Sequence, residues 1–267
     1  MNPLIKFADN SLSLDVNERK DWIVVLPLGA YEQHGQHLPM ETDIIIAKGL
    51  VDRIRSILPS SLPVTFMSVE PIGYSIEHMY ADGTRTLNYN EAIERWLGII
   101  NEIQKTGIRK IIILNAHGGN SPLISIVSTE ARIRFSVLVV TTSWSKFTIP
   151  HNIIASPEIE IGIHGGEIET SIMLYLAPHL VKMDLAKNFP SRQSEFLRDF
   201  TYLRAYGSHS FGWSMQDLNS EGVVGNAIEA TCKKGECLLS YFATCFIKLL
   251  KDVSAFDVNI FDRKVKK

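Results

Sequence analysis

The chain has 267 residues, 45% hydrophobic and 21% charged, a composition near that of globular proteins and sufficient for one large α/β domain over residues 1–267. A formal net charge of -2 offers no basic field for nucleic acid or an anionic membrane, so neither is expected as a partner. No apolar run approaches the roughly 18 residues of a membrane span, and the start MNPLIKFADNSLSLD lacks the cationic, long-apolar pattern of a leader, which predicts a cytoplasmic protein.

The run Trp22 to Leu28 reads as a buried strand bounded by Gly29, followed by a polar loop, YEQHGQHLPMET, that leads to Asp43. Asp43 opens a helix over IIIAKGLVDRIRSIL, with Pro59 just beyond it. Pro63 to Val69 is a second strand, and an irregular segment, PIGYSIEHMYADGTRTL, separates it from a helix capped by Asn90 and closed at Gly107. Lys110 to Leu114 is continuously apolar after its lysine, as in a parallel strand buried on both faces. It runs into NAHGGN, then the helix SPLISIVSTEARIR and the strand SVLVVTTS, completing a third strand–helix–strand repeat. Beyond Ser145 the next ordered signal is IHGGEIETSIMLYL, a helix with Glu167 and Glu169 at its start. Lys187 to Asn226 is aromatic and aperiodic, as in a lid, a substrate wall or a subunit contact, or else a surface loop. A helix over Lys234 to Val253 follows, and DRKVKK forms a solvated basic tail. Cys232, Cys237 and Cys245 are spaced neither as a C-x-x-C pair nor as a disulfide framework and read as buried thiols in a reducing compartment.

The chemistry concentrates at strand ends, where open α/β sheets bind ligands. Glu32 and His34 are two residues apart, so in an extended loop their side chains point to one side. Asp43, at a helix start, is either a cap or a cation ligand with lone pairs to spare. His37 and Gln33 fit loop hydrogen bonding. His117 follows a buried strand among glycines that admit close approach; a phosphate-cradling loop competes there, but no Lys-Ser/Thr follows. Glu32, His34, Asp43, His117 and Glu167 together give three carboxylates and two imidazoles, an inventory for two divalent cations. With one bridging hydroxide the formal charge sums to zero, as a buried site tolerates. Asp43, lying between the two arms, is the expected shared ligand. Mixed oxygen and nitrogen donors suit Zn²⁺, Mn²⁺ or Fe²⁺ without ranking them. The expected chemistry is hydrolysis, with the metal-bridged hydroxide attacking a polarised carbonyl. His164 and Glu169 are assigned to proton handling around the leaving nitrogen, the structural alternatives being that His164 orients the loop and Glu169 binds backbone N–H groups at the helix start.

The combination of GAYEQHGQHLPMETD, NAHGGN and HGGEIETSIMLYLAP resembles the creatininase (creatinine amidohydrolase) family over about residues 20 to 250. The resemblance implies a single three-layer α/β/α domain with a mostly parallel sheet, a dinuclear metal centre, hydrolysis of a C–N bond in a small cyclic or linear amide, and a homo-oligomer, frequently a hexamer. Glu32, His34, Asp43 and His117 match the family's ligands, with Asp43 at the bridging position. Glu167 matches the glutamate that completes the site where Gly-Gly follows the histidine, and His164 matches a histidine near the substrate. Three departures stand out. Gly118-Gly119 replaces the Tyr-Glu of creatininase proper, Gly225-Asn226-Ala227 replaces Gly-Asp-Pro, and Asp82-Gly83-Thr84 replaces Pro-Gly-Thr. Creatinine is therefore a poor expected substrate, with formamides and short peptides the other branches of the resemblance. A non-catalytic metal-bound small-molecule binder on the same fold is the alternative, distinguished by whether the metal keeps an open position.

Overall fold

The computed structural model describes residues 19–262. The amino-terminal stretch read above for a leader, and the basic tail beyond Asp262, lie outside them. Asp262 itself is not merely solvated, since its carboxylate accepts hydrogen bonds of 2.7 and 2.9 Å from Arg109. Among the described residues no helix is long and apolar enough to cross a membrane.

Four strands, β1 (Ile23–Leu28), β2 (Val64–Phe66), β3 (Lys110–Asn115) and β4 (Leu138–Ser143), form a parallel sheet in the order β2-β1-β3-β4. Their side chains alternate between two cores, as a pleat requires. Ile23, Val25, Ile112 and Leu114 face one, and Val24, Leu26, Ile111 and Ile113 the other. Helix α1 (Thr42–Ser56) covers the first core together with α5 (Glu167–Leu176) and α8 (Cys232–Ala255), through Ile46, Leu50, Ile172, Phe242 and Phe246. Helices α2 (Tyr89–Lys105) and α3 (Ser121–Phe135) cover the second through Trp96, Ile100, Leu123 and Val127. The fold is thus a three-layer α/β/α arrangement with a parallel sheet. In register, Leu28 lies opposite Asn115, so the loops that leave β1 and β3 start side by side at the carboxyl edge.

The segment 187–226 is more structured than its lack of periodicity predicts. It holds β5 (Asn188–Phe189) paired with β6 (Gly225–Asn226), and the short helices α6 (Gln193–Asp199) and α7 (Met215–Leu218). A small core of Ala205, Met215, Leu218 and Val224 supports it, with Phe211 and Trp213 packed alongside. A further short helix, α4 (Ser156–Ile161), precedes α5.

Two local expectations differ. The cap of α2 is Asn88, not Asn90: its side chain accepts from the Glu91 N–H while the Glu91 carboxylate accepts from the Asn88 N–H, a reciprocal box that starts the helix two residues earlier. The cysteines are free but not buried. Cys232 is exposed at the start of α8, and Cys237 and Cys245 are half-buried, because the apolar face of α8 is filled by Leu238, Phe242, Phe246 and Leu250.

Helices α5 and α8 approach so closely at Gly235 that a Cβ there would collide with the Ser171 carbonyl. Backbone cannot yield as a side chain can. Gly235→Ala is therefore expected to destabilise the protein by about 1–3 kcal/mol through overpacking. Gly98→Ala, in α2 with nothing within 4 Å of the added methyl, should be neutral or stabilising by up to about 1 kcal/mol. Denaturant midpoints of the two variants check the pair, and equal effects would contradict the close-approach account.

Candidate metal centre

Eight ionisable side chains with little or no solvent exposure meet at the carboxyl edge of the sheet, supplied by five stretches of chain. The loop after β1 brings Glu32 and His34, the first turn of α1 brings Asp43, and the end of β3 leads to His117. Helix α5 and the turn before it bring Glu169 and His164, and the turn after β2 brings Glu77 and His78.

The distances group around Asp43. Its Oδ1 lies 3.5 Å from His34 Nε2, and its Oδ2 lies 3.4 Å from His117 Nδ1. On one side Glu32 Oε1 is 3.0 Å from His117 Nδ1; on the other, Glu169 Oε2 is 3.9 Å from His34 Nε2. Two donor triads result, Glu32–Asp43–His117 and His34–Asp43–Glu169, with Asp43 common to both. A third grouping joins Glu32, His34 and His164, where His164 Nδ1 stands 3.7 Å from Glu32 Oε1.

Surrounding groups aim each ring. His34 Nδ1 donates to the Glu32 carbonyl at 3.0 Å, which turns Nε2 inward. His117 Nε2 donates to the Tyr74 carbonyl at 2.9 Å, leaving Nδ1 to face the carboxylates. Asn115 accepts from the His117 N–H at 3.3 Å and donates to its carbonyl, and Asn120 braces Asn115 at 2.9 Å. Such partners fix the orientation of an imidazole ligand. His37 is turned away: its Nε2 lies 2.9 Å from the Gly165 carbonyl, tying the first loop to the start of α5, in keeping with loop hydrogen bonding.

Of the residues expected from sequence, Glu167 is not brought to the cluster. Its carboxylate is ion-paired with Lys234 of α8, while Glu169 takes the inward direction, held by the Gly165 N–H at 2.7 Å. The physical reason is helical geometry: residues two apart on a helix point in nearly opposite directions, so only one of the pair can face the site. Glu169 accordingly sits among the donor atoms rather than outside them. Three residues were missed. Glu77 and His78 lie in the segment read as irregular, and their only sequence signal is an adjacent Glu-His pair. Glu158 is the third. It accepts hydrogen bonds from the Glu167 and Asn226 N–H groups, both at 2.8 Å, and so ties α5 to β6 beside the His164–Val224 bridge.

The donor set fits divalent cations on an observation internal to the cluster. Both Glu32 carboxylate oxygens, Asp43 Oδ2 and His34 Nε2 are buried without a hydrogen-bond partner. Leaving such atoms unpaired is costly. The chain's own electrostatics show how strongly the cluster favours positive charge. Burial lowers the affinity of His34 and His117 for protons, but the carboxylates outweigh it. Asp43 foremost raises His34 to about 9, and Glu32 foremost raises His117 to about 10. Burial raises Glu169 to about 7, helped by Asp43 and Glu32. Burial would also raise Glu32, yet His117 and His78 hold it well below the usual carboxylate range. Burial pushes His164 well down, and His34 and His78 add to the shift.

These directions fix a sign. At neutral pH both His34 and His117 lie below their pKa values of about 9 and 10 and carry protons when no cation is bound. Ligation needs their lone pairs, and Glu169, at about 7, is half protonated as well, so filling the site should expel between about two and three protons at pH 7, and apparent affinity should rise with pH until those values are passed. Calorimetric titration with Mn²⁺ or Zn²⁺ in buffers of different ionisation enthalpy measures that release. Binding with no proton release would contradict the cluster's assignment.

The family model described as creatinine amidohydrolase matches residues 11–250. The creatinine amidohydrolase of Pseudomonas putida is 30% identical over 185 residues, covering 64% of this chain and 70% of that protein. The mycofactocin precursor peptide peptidase of Mycobacterium tuberculosis is 29% identical over 171 residues, covering 60% of this chain and 61% of that protein. Among solved structures, a zinc–zinc form of a creatininase mutant is 25% identical with a TM-score of 0.68, covering 88% of this chain and 92% of the other. With the family model spanning most of the sequence and three layers of structure in agreement, this chain belongs to the creatininase family.

Proposed function

We propose that this chain is a metal-dependent amidohydrolase with a dinuclear centre held by Glu32, His34, Asp43, His117 and Glu169, acting on the C–N bond of a small amide. Family membership supports the hydrolytic class. The observation that carries the two-metal reading is the division of Asp43, one oxygen facing His34 and the other His117, with a different glutamate completing each side. When bound, two divalent ions there would polarise an amide carbonyl and activate a water between them. Cavities reach both His117 and Glu169, which supports an open centre over a closed binding site.

The remaining steps belong to the chain's own groups. His164 Nε2 is engaged by the Gln33 carbonyl at 2.6 Å, so Nδ1 is the atom that faces the cluster and the substrate. Kept neutral by burial and by His34, it takes up a proton there and passes it to the leaving nitrogen, a contribution on the order of 10²- to 10⁴-fold. Phe211 and Trp213 wall the side of the site beyond His164.

Asp43→Ala is expected to lose both metal equivalents by elemental analysis, whereas Glu167→Gln should keep both. Retention of two equivalents by Asp43→Ala would refute the shared-ligand role. The metal-loaded protein should hydrolyse formamides or short linear amides and act poorly on creatinine, because Gly119 offers no carboxylate and Glu169 completes the centre from another helix. Creatinine turnover above roughly 10⁴ M⁻¹s⁻¹ in kcat/KM, the ordinary enzyme range, would overturn that part.

A further inference from the structure

The cluster lies between two cavities that meet at His117, Gly118 and Ile163. One, of about 480 Å³, runs along the loop after β4: Glu169 stands at its cluster end, Trp144, Phe147 and Ile149 form an apolar wall, and the exposed Lys146 lies with Ser145 and His151. Lys146 forms no ion pair among the described residues, and its Nζ has only a 3.4 Å contact with the Thr141 carbonyl. The other, of about 390 Å³, is walled by Phe211, Trp213, Met215 and Pro122, and the one carboxylate in its lining is Glu77.

Glu77 reaches that position because residue 119 has no side chain. A Cβ on Gly119 would collide with Glu77 Oε1. The carboxylate stands 3.5 Å from His117 Nε2, the ring nitrogen that does not face the donor triads, and that nitrogen is already satisfied by the Tyr74 carbonyl. It is therefore not a member of the triads, and one side of it is left for whatever enters the cavity. An anion set among aromatic rings suits an ammonium group, and an unpaired lysine among hydroxyls suits a carboxylate.

We propose that the substrate is a short linear amide charged at both ends, with its ammonium group and an apolar side chain beside Glu77, Phe211 and Trp213, and its carboxylate beside Lys146. The scissile C–N bond then lies at His117, where the cavities join. This rests on the hydrolytic reading above and adds the charge pattern and the two residues that select it. Hydrolysis consumes one water: its hydroxyl goes to the carbonyl carbon of the part held at Glu77, the C–N bond breaks, and its proton goes to the nitrogen of the part held at Lys146.

The test uses the metal-loaded full chain and four matched dipeptides of phenylalanine and glycine: free at both ends, acetylated, amidated, and blocked at both ends. Cleavage and calorimetric binding are measured for each. The doubly charged form should be preferred over the blocked form by about 100-fold, about tenfold per charge as for close charge pairs at interfaces. Glu77→Gln should remove the preference for a free amine and keep that for a free carboxylate, and Lys146→Met the reverse; these are ratios within one variant, insensitive to partial loss of metal. Binding in the predicted order without cleavage would support the charge recognition and count against the hydrolytic reading. Equal cleavage of all four, or variants that weaken all four alike, would overturn the proposal while leaving amide hydrolysis in place. Absence of both cleavage and ranked binding would overturn it as well.

Discussion

Three carboxylates, Glu32, Asp43 and Glu169, are buried against one another at 0, 1 and 6% exposure, and the rest of the site follows from that constraint. Like charges in a region shielded from water repel strongly and lose their hydration. They persist only with positive charge between them. Two imidazoles lie within about a hydrogen bond of Asp43, and in the cation-free chain they hold protons far more tightly than a free histidine does. Those protons stand in for metal charge.

The fold exists to hold that unfavourable group together from residues distant in sequence. Parallel pairing of β1 with β3 sets Leu28 beside Asn115, which delivers Glu32 and His117 to one point. Asp43 comes from the first turn of a helix whose buried face is anchored by Ile46, Leu50 and Ile54. Glu169 depends on more remote support: α5 is pressed onto α8 at Gly235 and its start is pinned by Glu158. An α5 displaced by an ångström would separate one triad from the other. Shifts of that size cost on the order of 10²-fold in rate in enzymes generally.

Much of this was legible in the sequence where the signal is local. The apolar runs of β1 and β3 and the polar residues just after them identify Glu32, His34, Asp43 and His117 because a strand end and a helix start place side chains predictably. The three-layer parallel architecture follows from the same alternation of strands and helices. What was not legible depended on rotation and on long-range contact. Glu167 and Glu169 share one helix start, and choosing between them requires knowing that Lys234 lies on the outer side. Glu77 and His78 sit in a segment without periodicity, so nothing local says which way they point. Asn88 and Asn90 are equally good caps by type, and the partner at Glu91 decides between them. Segment 187–226 hides its order because its small core is assembled from residues such as Ala205, Met215 and Val224 that show no repeat.

The central claim is that Asp43 separates two cation positions. Anomalous diffraction from crystals of the full chain grown with Mn²⁺ tests it most directly. The account predicts two peaks, one among Glu32, Asp43 Oδ2 and His117 Nδ1, the other among His34 Nε2, Asp43 Oδ1 and Glu169. A single peak away from Asp43, or an ion bound by Glu167 in place of Glu169, would contradict it.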